Sequence, residues 1–301
     1  MDDLPTLYSL TGITSLPDRP VRVLGVDLGT TNSTVAEKIC SPGEMPSTKV
    51  RCLEINQRTS GGIYTHVTVP SVVALHEGRV WVGEGAKRLR GRRGLEIYRN
   101  IFWECKNHMG IRRTYHKAPP GFQTAREICE QVLRFLYETA KGQNQTPINR
   151  VVVTVPAYFQ AAQRIDTLEA AKLAGLEISG RDLLDEPIAA FLDYLFTNSV
   201  TCLGNAGESK TLIVFDFGGE TCDAAVFRIT IPHRMESLKV VPLLVSRYHR
   251  LGGGDIDAAI VHEVFIPQIR EQNNLSNQLR LFVTEDKDLG LRPERKLGML
   301  P

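Results

Sequence analysis

The patterned part of the chain begins with VRVLGVDLG at 21–29, an apolar run that ends in a turn, and TVAEKIC at 34–40 follows as a second short strand. GTTN lies between them. Gly and Asn accept the backbone angles of a tight connection, so the pair predicts a hairpin. Further strands are expected at 50–56, 71–75 and 79–82, and a basic helix over 83–94 with glycine at both ends. Thr124 to Lys141 carries the clearest helix signature. Thr124 and Glu127 form a capping box, and Ile128, Val132, Leu133, Leu136 and Ala140 recur at helical spacing before Gly142. RVVVTVPAYF at 150–159 is a continuous β-branched run closed by a proline, the pattern of a strand covered on both faces. A helix over 160–174, a strand near 181–185 and a helix from Pro187 follow.

The polar stretch 197–210 reads as a linker. KTLIVFDFGGETCDAAVFRIT at 210–230 then predicts a second hairpin, followed by a strand at 238–246 and a helix at 254–270. Residues 1–20 show no periodicity and read as a loose leader, and from 271 the chain turns polar and charged. The two hairpin segments share one plan: an apolar strand, Asp, an apolar residue, Gly, a short turn with Thr, and a second strand. No short-period repeat is present, so this echo points to two similar lobes facing a cleft rather than to a solenoid.

Composition narrows the class. Apolar residues make up 42% and charged residues 23% of 301 positions, which excludes collagen, coiled coil and wholesale disorder. Thirty-six Lys and Arg stand against 34 Asp and Glu, a net charge of +2 that argues against nucleic-acid or membrane partners. Arg88, Arg90, Arg92 and Arg93 are read as a solvated face. No apolar run is long enough for a membrane span, and the first twenty residues do not resemble a secretory signal. The six cysteines have no zinc-like spacing, and reduced thiols in the cytoplasm are expected.

The candidate chemistry lies in the turns. In DLGTTN, the strand ends at Asp27, and Gly29 allows successive amides to point at one anion. Thr30 and Thr31 offer hydroxyls to phosphate oxygens. Asp27 cannot bind phosphate, but it can hold a hydrated Mg2+ ion. DFGGET repeats the logic with Asp216, Gly218, Gly219 and Thr221, so that two such loops grip a polyphosphate from both sides. LGGGDID adds Gly252, Gly253 and Gly254 before a helix, whose N-terminus favours phosphate. Walker loops, GxGxxG with its acid, GxSxG and HExxH are all absent.

The ordered set VDLGTTNS, VPSVVAL, TVPAYFQAAQR, DEPIAAFLDYL, VFDFGGET and LGGGDID resembles the seventy-kilodalton heat-shock chaperone family, the DnaK type, from about 21 to 265. VPAYFxxAQR and the EPxAA segment separate it from actins and sugar kinases that share the fold. The resemblance implies an α/β, actin-like ATPase fold, with ribonuclease H-like lobes whose two mixed sheets flank a nucleotide cleft. Lobe I is expected over 21–205 and an incomplete lobe II over 206–301. ATP or ADP with Mg2+ is the implied cofactor. Asp27, Thr30, Thr31 and Asn32 match the first phosphate loop, and Asp216, Gly218, Gly219 and Thr221 the second, with both aspartates meeting the metal mainly through water. Asp223 matches an acid that follows. Lys106 matches the lysine beside the γ-phosphate and attacking water, and Glu186 a glutamate near the metal and water shell. Pro156 and Arg164 match a pair said to relay nucleotide state to the substrate domain.

Three positions depart from the family pattern: Glu220 for the third glycine of the second loop, Asn107 for an arginine, and Gly254 for a common acid. No adenosine loop or peptide-binding domain is recognised after about 270, so a C-terminally truncated module without a client groove is expected. The leading reading is a chaperone-type, weak ATPase that couples turnover to protein folding in a longer relative and meets a J-domain co-chaperone or a nucleotide-exchange factor. A degenerate, non-enzymatic interaction module is the alternative. A sugar or small-molecule kinase is a third reading, which the VPAYFxxAQR segment opposes.

Overall fold

A computed structural model describes residues 18–41, 50–198, 204–205, 207–219, 221–231, 239–246 and 251–273. The expected leader to residue 17, residues 199–203 and 206 of the 197–210 linker, and Glu220 lie outside the described residues. Contacts divide the chain into two compact units, one ending at Arg250 and one starting at Leu251.

The first unit is mixed α/β with several sheets. Strands β1 (Val21–Asp27) and β2 (Asn32–Cys40) form the expected hairpin, followed by β3 (Arg51–Cys52), β4 (Ile55–Thr59), β5 (Gly62–His66), β6 (Thr68–Pro70), β7 (Val73–His76) and β8 (Arg79–Val82). Helix α1 (Glu84–Lys87), β9 (Ile101–Phe102) and a 3₁₀ turn at Cys105–His108 precede α2 (Ala125–Gln143), β10 (Ile148–Val155), α3 (Ala161–Leu173), β11 (Leu183–Asp185) and α4 (Glu186–Asn198). The second hairpin, β12 (Ser209–Phe217) and β13 (Cys222–Thr230), is followed by β14 (Lys239–Val245).

The main sheet runs β11-β10-β1-β2-β3, with β6 also on β2. β10 is parallel to both β1 and β11, while β2 is antiparallel to β1. The register follows from alternation: Arg22, Leu24 and Val26 all face inward on β1. α2 covers this sheet because its apolar stripe, Ile128, Val132, Leu133, Leu136 and Ala140, is buried, and Thr124 and Glu127 close the capping box at its start. The second sheet, β12-β13-β14, is wholly antiparallel. Its inner face, with Ala225, Phe227 and Ile229, packs on Ile188 and Phe191 of α4.

Two expectations need correction. The helix over 83–94 stops at Lys87, because Gly91 and Gly94 take φ of 75° and 89°, outside helical space. The strand expected at 50–56 is instead two pieces, and its second half turns back as the β4–β5 hairpin. The basic face stays exposed, although Arg90 lies 4.6 Å from the Trp103 ring centroid, an aromatic contact that local sequence does not reveal.

The second unit is a helical run: α5 (Gly253–Ile260), a π-helical turn at Val261–Phe265 and α6 (Ile266–Asn273). It meets the helix expected at 254–270. Gly252 caps it, with its amide donating to Asp255 Oδ2 at 3.0 Å.

Candidate functional site

The two hairpins present their aspartates in the same way. Asp27 pairs with Thr34 and Asp216 with Asp223, so each faces the residue seven positions on, beside the hairpin turn. The Thr154 hydroxyl on β10 donates to Asp27 Oδ1 at 2.8 Å and fixes that carboxylate.

The first turn is shaped by backbone crowding. A Cβ at Gly29 would stand 2.0 Å from the carbonyl oxygen of Asn32, so only glycine allows this path. Ser71 anchors the turn from outside. Its hydroxyl donates to the Gly29 carbonyl at 2.7 Å, and its amide donates to the Thr31 carbonyl at 2.8 Å. Those carbonyls are thus occupied, while Thr31 and Asn32 stay exposed and Thr30 half-buried. In the second turn the Gly218 amide donates to the Thr221 carbonyl at 2.8 Å. The two turns touch: a Cβ at Gly219 would lie 2.2 Å from Thr31 Oγ1.

Lys106 rises from the 3₁₀ turn Cys105–His108 and is only 7% exposed. Its Nζ donates to Glu186 Oε1 at 2.8 Å, and the Phe159 ring centroid lies 5.7 Å away. The turn is locked to α3, since the Gly110 amide donates to Asp166 Oδ2 at 2.7 Å. Pro156 accepts from the Phe159 amide at 3.0 Å and so starts the turn that carries this ring. Arg164 spans from the Phe159 carbonyl, at 2.9 Å, to Asp185 Oδ1, at 2.5 Å, one residue before Glu186. Pro156 and Arg164 therefore brace the segment that presents Glu186.

The charges converge. Burial opposes the Lys106 ammonium, but Glu186 and Asp27 together outweigh it and hold the lysine above its ordinary range. Burial pushes the Glu186 carboxyl up, with Lys106 opposing and Asp27 and Asp216 adding. Asp216 is also pushed up, by burial and then by Asp27, with Lys106 opposing. One ammonium thus faces three carboxylates that feel each other.

The structure brings Asp27, Thr31, Lys106, Glu186, Asp216 and Gly219 together. Gly252, Gly253 and Gly254 belong to the second unit and start α5. Ser71, Thr154, Asp166 and Asp185 hold this site and were not foreseen. VPSVVAL pointed to the segment of Ser71, but a single serine or threonine gives no sign by itself of what it holds.

A family model described as Hsp70 protein matches residues 107–280, more than half of the chain. The chain belongs to the Hsp70 family. The match begins one residue after Lys106 and includes Pro156, Arg164, Glu186 and the second turn, while Asp27 to Asn32 precede it. Hsp70 proteins have an actin-like ATPase fold and bind nucleotide, typically with Mg2+. The donor set of this Hsp70-family chain fits that ion. All the acids are hard oxygen donors, and their charge exceeds that of Lys106. Among the described residues no group of three His, Cys, Asp or Glu side chains is placed to hold a metal ion together. No described helix is long and apolar enough to cross a membrane.

The charge excess has a thermodynamic sign. Asp216 binds its proton more tightly in the folded protein than in the unfolded chain. Its contribution to stability is therefore full at low pH and is lost as pH rises through its raised folded value. Asp216→Asn is expected to raise the thermal midpoint of the metal-free protein at neutral pH. That gain should shrink as pH falls toward the carboxylate range. Paired melting curves in chelator across that range check it, and a constant or reversed difference counts against the charge crowding.

Proposed function

We propose that this chain is an ATP-binding, slowly ATP-hydrolysing module of the Hsp70 type, with residues 21–205 as one lobe and the second lobe starting at 206. One observation carries the reading: Lys106, paired with Glu186, sits among Asp27 and Asp216 where two glycine turns of the same plan meet. Thr30, Thr31, Asn32, Thr221 and the amide of Gly219 cradle the β- and γ-phosphates, while the Gly218 amide closes the turn on the Thr221 carbonyl. Asp27 and Asp216 would hold Mg2+ through its waters, and the ion would supply positive charge to the phosphate oxygens. Lys106 stabilises charge that develops on the γ-phosphoryl group, and Glu186 orients the attacking water. The chemistry is positioning and electrostatics, with no covalent step on the protein. In a longer family member, turnover of this kind drives protein folding. A J-domain co-chaperone or nucleotide-exchange factor in the cytoplasm is the partner class this reading implies.

Calorimetry with ATP and magnesium tests the reading, followed by measurement of phosphate release. Saturable binding is expected, and Gly219→Ala should weaken it by about tenfold, or ~1.4 kcal/mol, because the added methyl displaces Thr31. A folded chain that binds no ATP sinks the ATPase reading and leaves the non-enzymatic interaction module.

A further inference from the structure

Behind Lys106 runs a directed chain of hydrogen bonds that the proposed chemistry does not use. Arg113 Nη1 lies 2.6 Å from His108 Nε2. A guanidinium only donates, so Nε2 accepts and the imidazole proton sits on Nδ1. Nδ1 lies 2.9 Å from the Tyr115 hydroxyl and donates to it. The Tyr115 hydroxyl hydrogen is then free to turn toward Cys105, whose buried thiol feels the hydroxyl and donates to the Trp103 carbonyl at 3.6 Å. Cys105 and His108 are the first and last residues of the turn that holds Lys106. Tyr115 therefore holds the His108 end of that turn by a hydrogen bond and lies against Cys105 at the other. Stacking closes the cluster: Tyr98 lies 4.9 Å from Tyr115, and the Arg113 guanidinium 4.6 Å from the Tyr98 ring centroid.

We infer that neutral His108 is a positioning residue, which with Arg113 and Tyr115 holds the Cys105–His108 turn so that Lys106 reaches Glu186, and that protonation of His108 releases the turn. A proton on Nε2 removes the acceptor and sets two cations against each other. The other groups that face this loop are Glu104 and Tyr98 from the preceding segment, Cys129 from α2 and Asp166 from α3, and Asp166 is engaged by the Gly110 amide. The consequence for turnover rests on the ATPase reading, but the hold on Lys106 does not.

The test reads that hold directly in the nucleotide-free protein. Lys106 acylation by an amine reagent is measured by mass spectrometry against exposed Lys172 in the same sample, between about pH 7.5 and 5.5. In the wild type the ratio should be low at the upper pH and rise about tenfold at the lower one. His108→Ala should be high throughout. His108→Gln keeps an acceptor for Arg113 and a donor for Tyr115 without titrating, and should be low throughout. Tyr115→Phe keeps the ring stack, cuts the chain and should raise the ratio in a protein whose circular dichroism is unchanged. A ratio that none of these changes move overturns the inference. Phosphate release is scored separately: His108→Ala should lower kcat rather than raise KM, and His108→Gln should rescue it. A wild type with protected, pH-released Lys106 but no hydrolysis sinks the ATPase reading and leaves this inference standing.

Discussion

Lys106→Ala is expected to slow phosphate release by about 100-fold or more while ATP still binds. The ammonium is buried, paired with Glu186 at 2.8 Å and backed by Phe159, so its position is set before nucleotide arrives. A preset charge in a dry site acts mainly on the transition state, and its loss appears in kcat. The mutation also changes the resting protein. Glu186 loses its cation while Asp27 and Asp216 remain, so three carboxylates face each other without compensation. Breaking a buried pair from one side typically costs about 3–5 kcal/mol, less here because Glu186 can take up a proton. The double change Lys106→Ala with Glu186→Gln should recover stability but not turnover. Single-turnover phosphate release beside thermal melts separates the two effects. Wild-type release rates in Lys106→Ala would remove the lysine from the chemistry.

Arg22→Leu is expected to be the most destabilising single change in the first unit, by about 3–5 kcal/mol. Arg22 is fully buried. Its Nε donates to Glu37 at 2.9 Å, and its other nitrogens donate to the carbonyls of Ala140, Asn144 and Thr146 at 2.6 Å, 3.2 Å and 3.2 Å. Two of those carbonyls lie in or just beyond the last turn of α2, whose orphan carbonyls need donors and whose dipole favours a cation. Leucine fills the volume but leaves Glu37 with Arg51 as its one ion-pair partner among the described residues and the three carbonyls without these donors. Urea unfolding of Arg22→Leu, Glu37→Gln and the double variant reads the coupling. A loss under about 1 kcal/mol for Arg22→Leu would contradict this account.

Arg22 also shows where sequence reading stops. Alternation along VRVLGVD puts it on the same face as Leu24 and Val26, and that face is buried. Its carbonyl partners come from the far end of α2 and just beyond it, more than a hundred positions away, so no local pattern announces them. The elements that were legible are those whose signal is local. The two hairpins, α2 with its capping box, and the run of β10 each carry their own period and stops. The basic helix was over-read because it ends at Lys87, and Gly91, inside the expected span, takes a φ of 75° that no helix can continue through. The site divides in the same way. The aspartates, threonines and glycines of the two turns were legible because the plan occurs twice. Lys106 carried no signal of its own and was reached through resemblance. Ser71 and Thr154, which shape the first turn and hold Asp27, were illegible because their importance comes from strands that meet only after folding.

The main core is closed by residues between Leu24 and Ile178, all preceding the second hairpin in the chain. Its sheet is held by β10 lying alongside β1, a pairing across 127 positions between Asp27 and Thr154. During synthesis the N-terminal hairpin must therefore wait, half-finished, until β10 leaves the ribosome. From that moment the first sheet, α2 and α3 can consolidate while the Asp216 hairpin is still being made. Glu186 and Asp216 then join a platform on which Lys106 is already seated, so the last charges of the cluster are added to a finished surface.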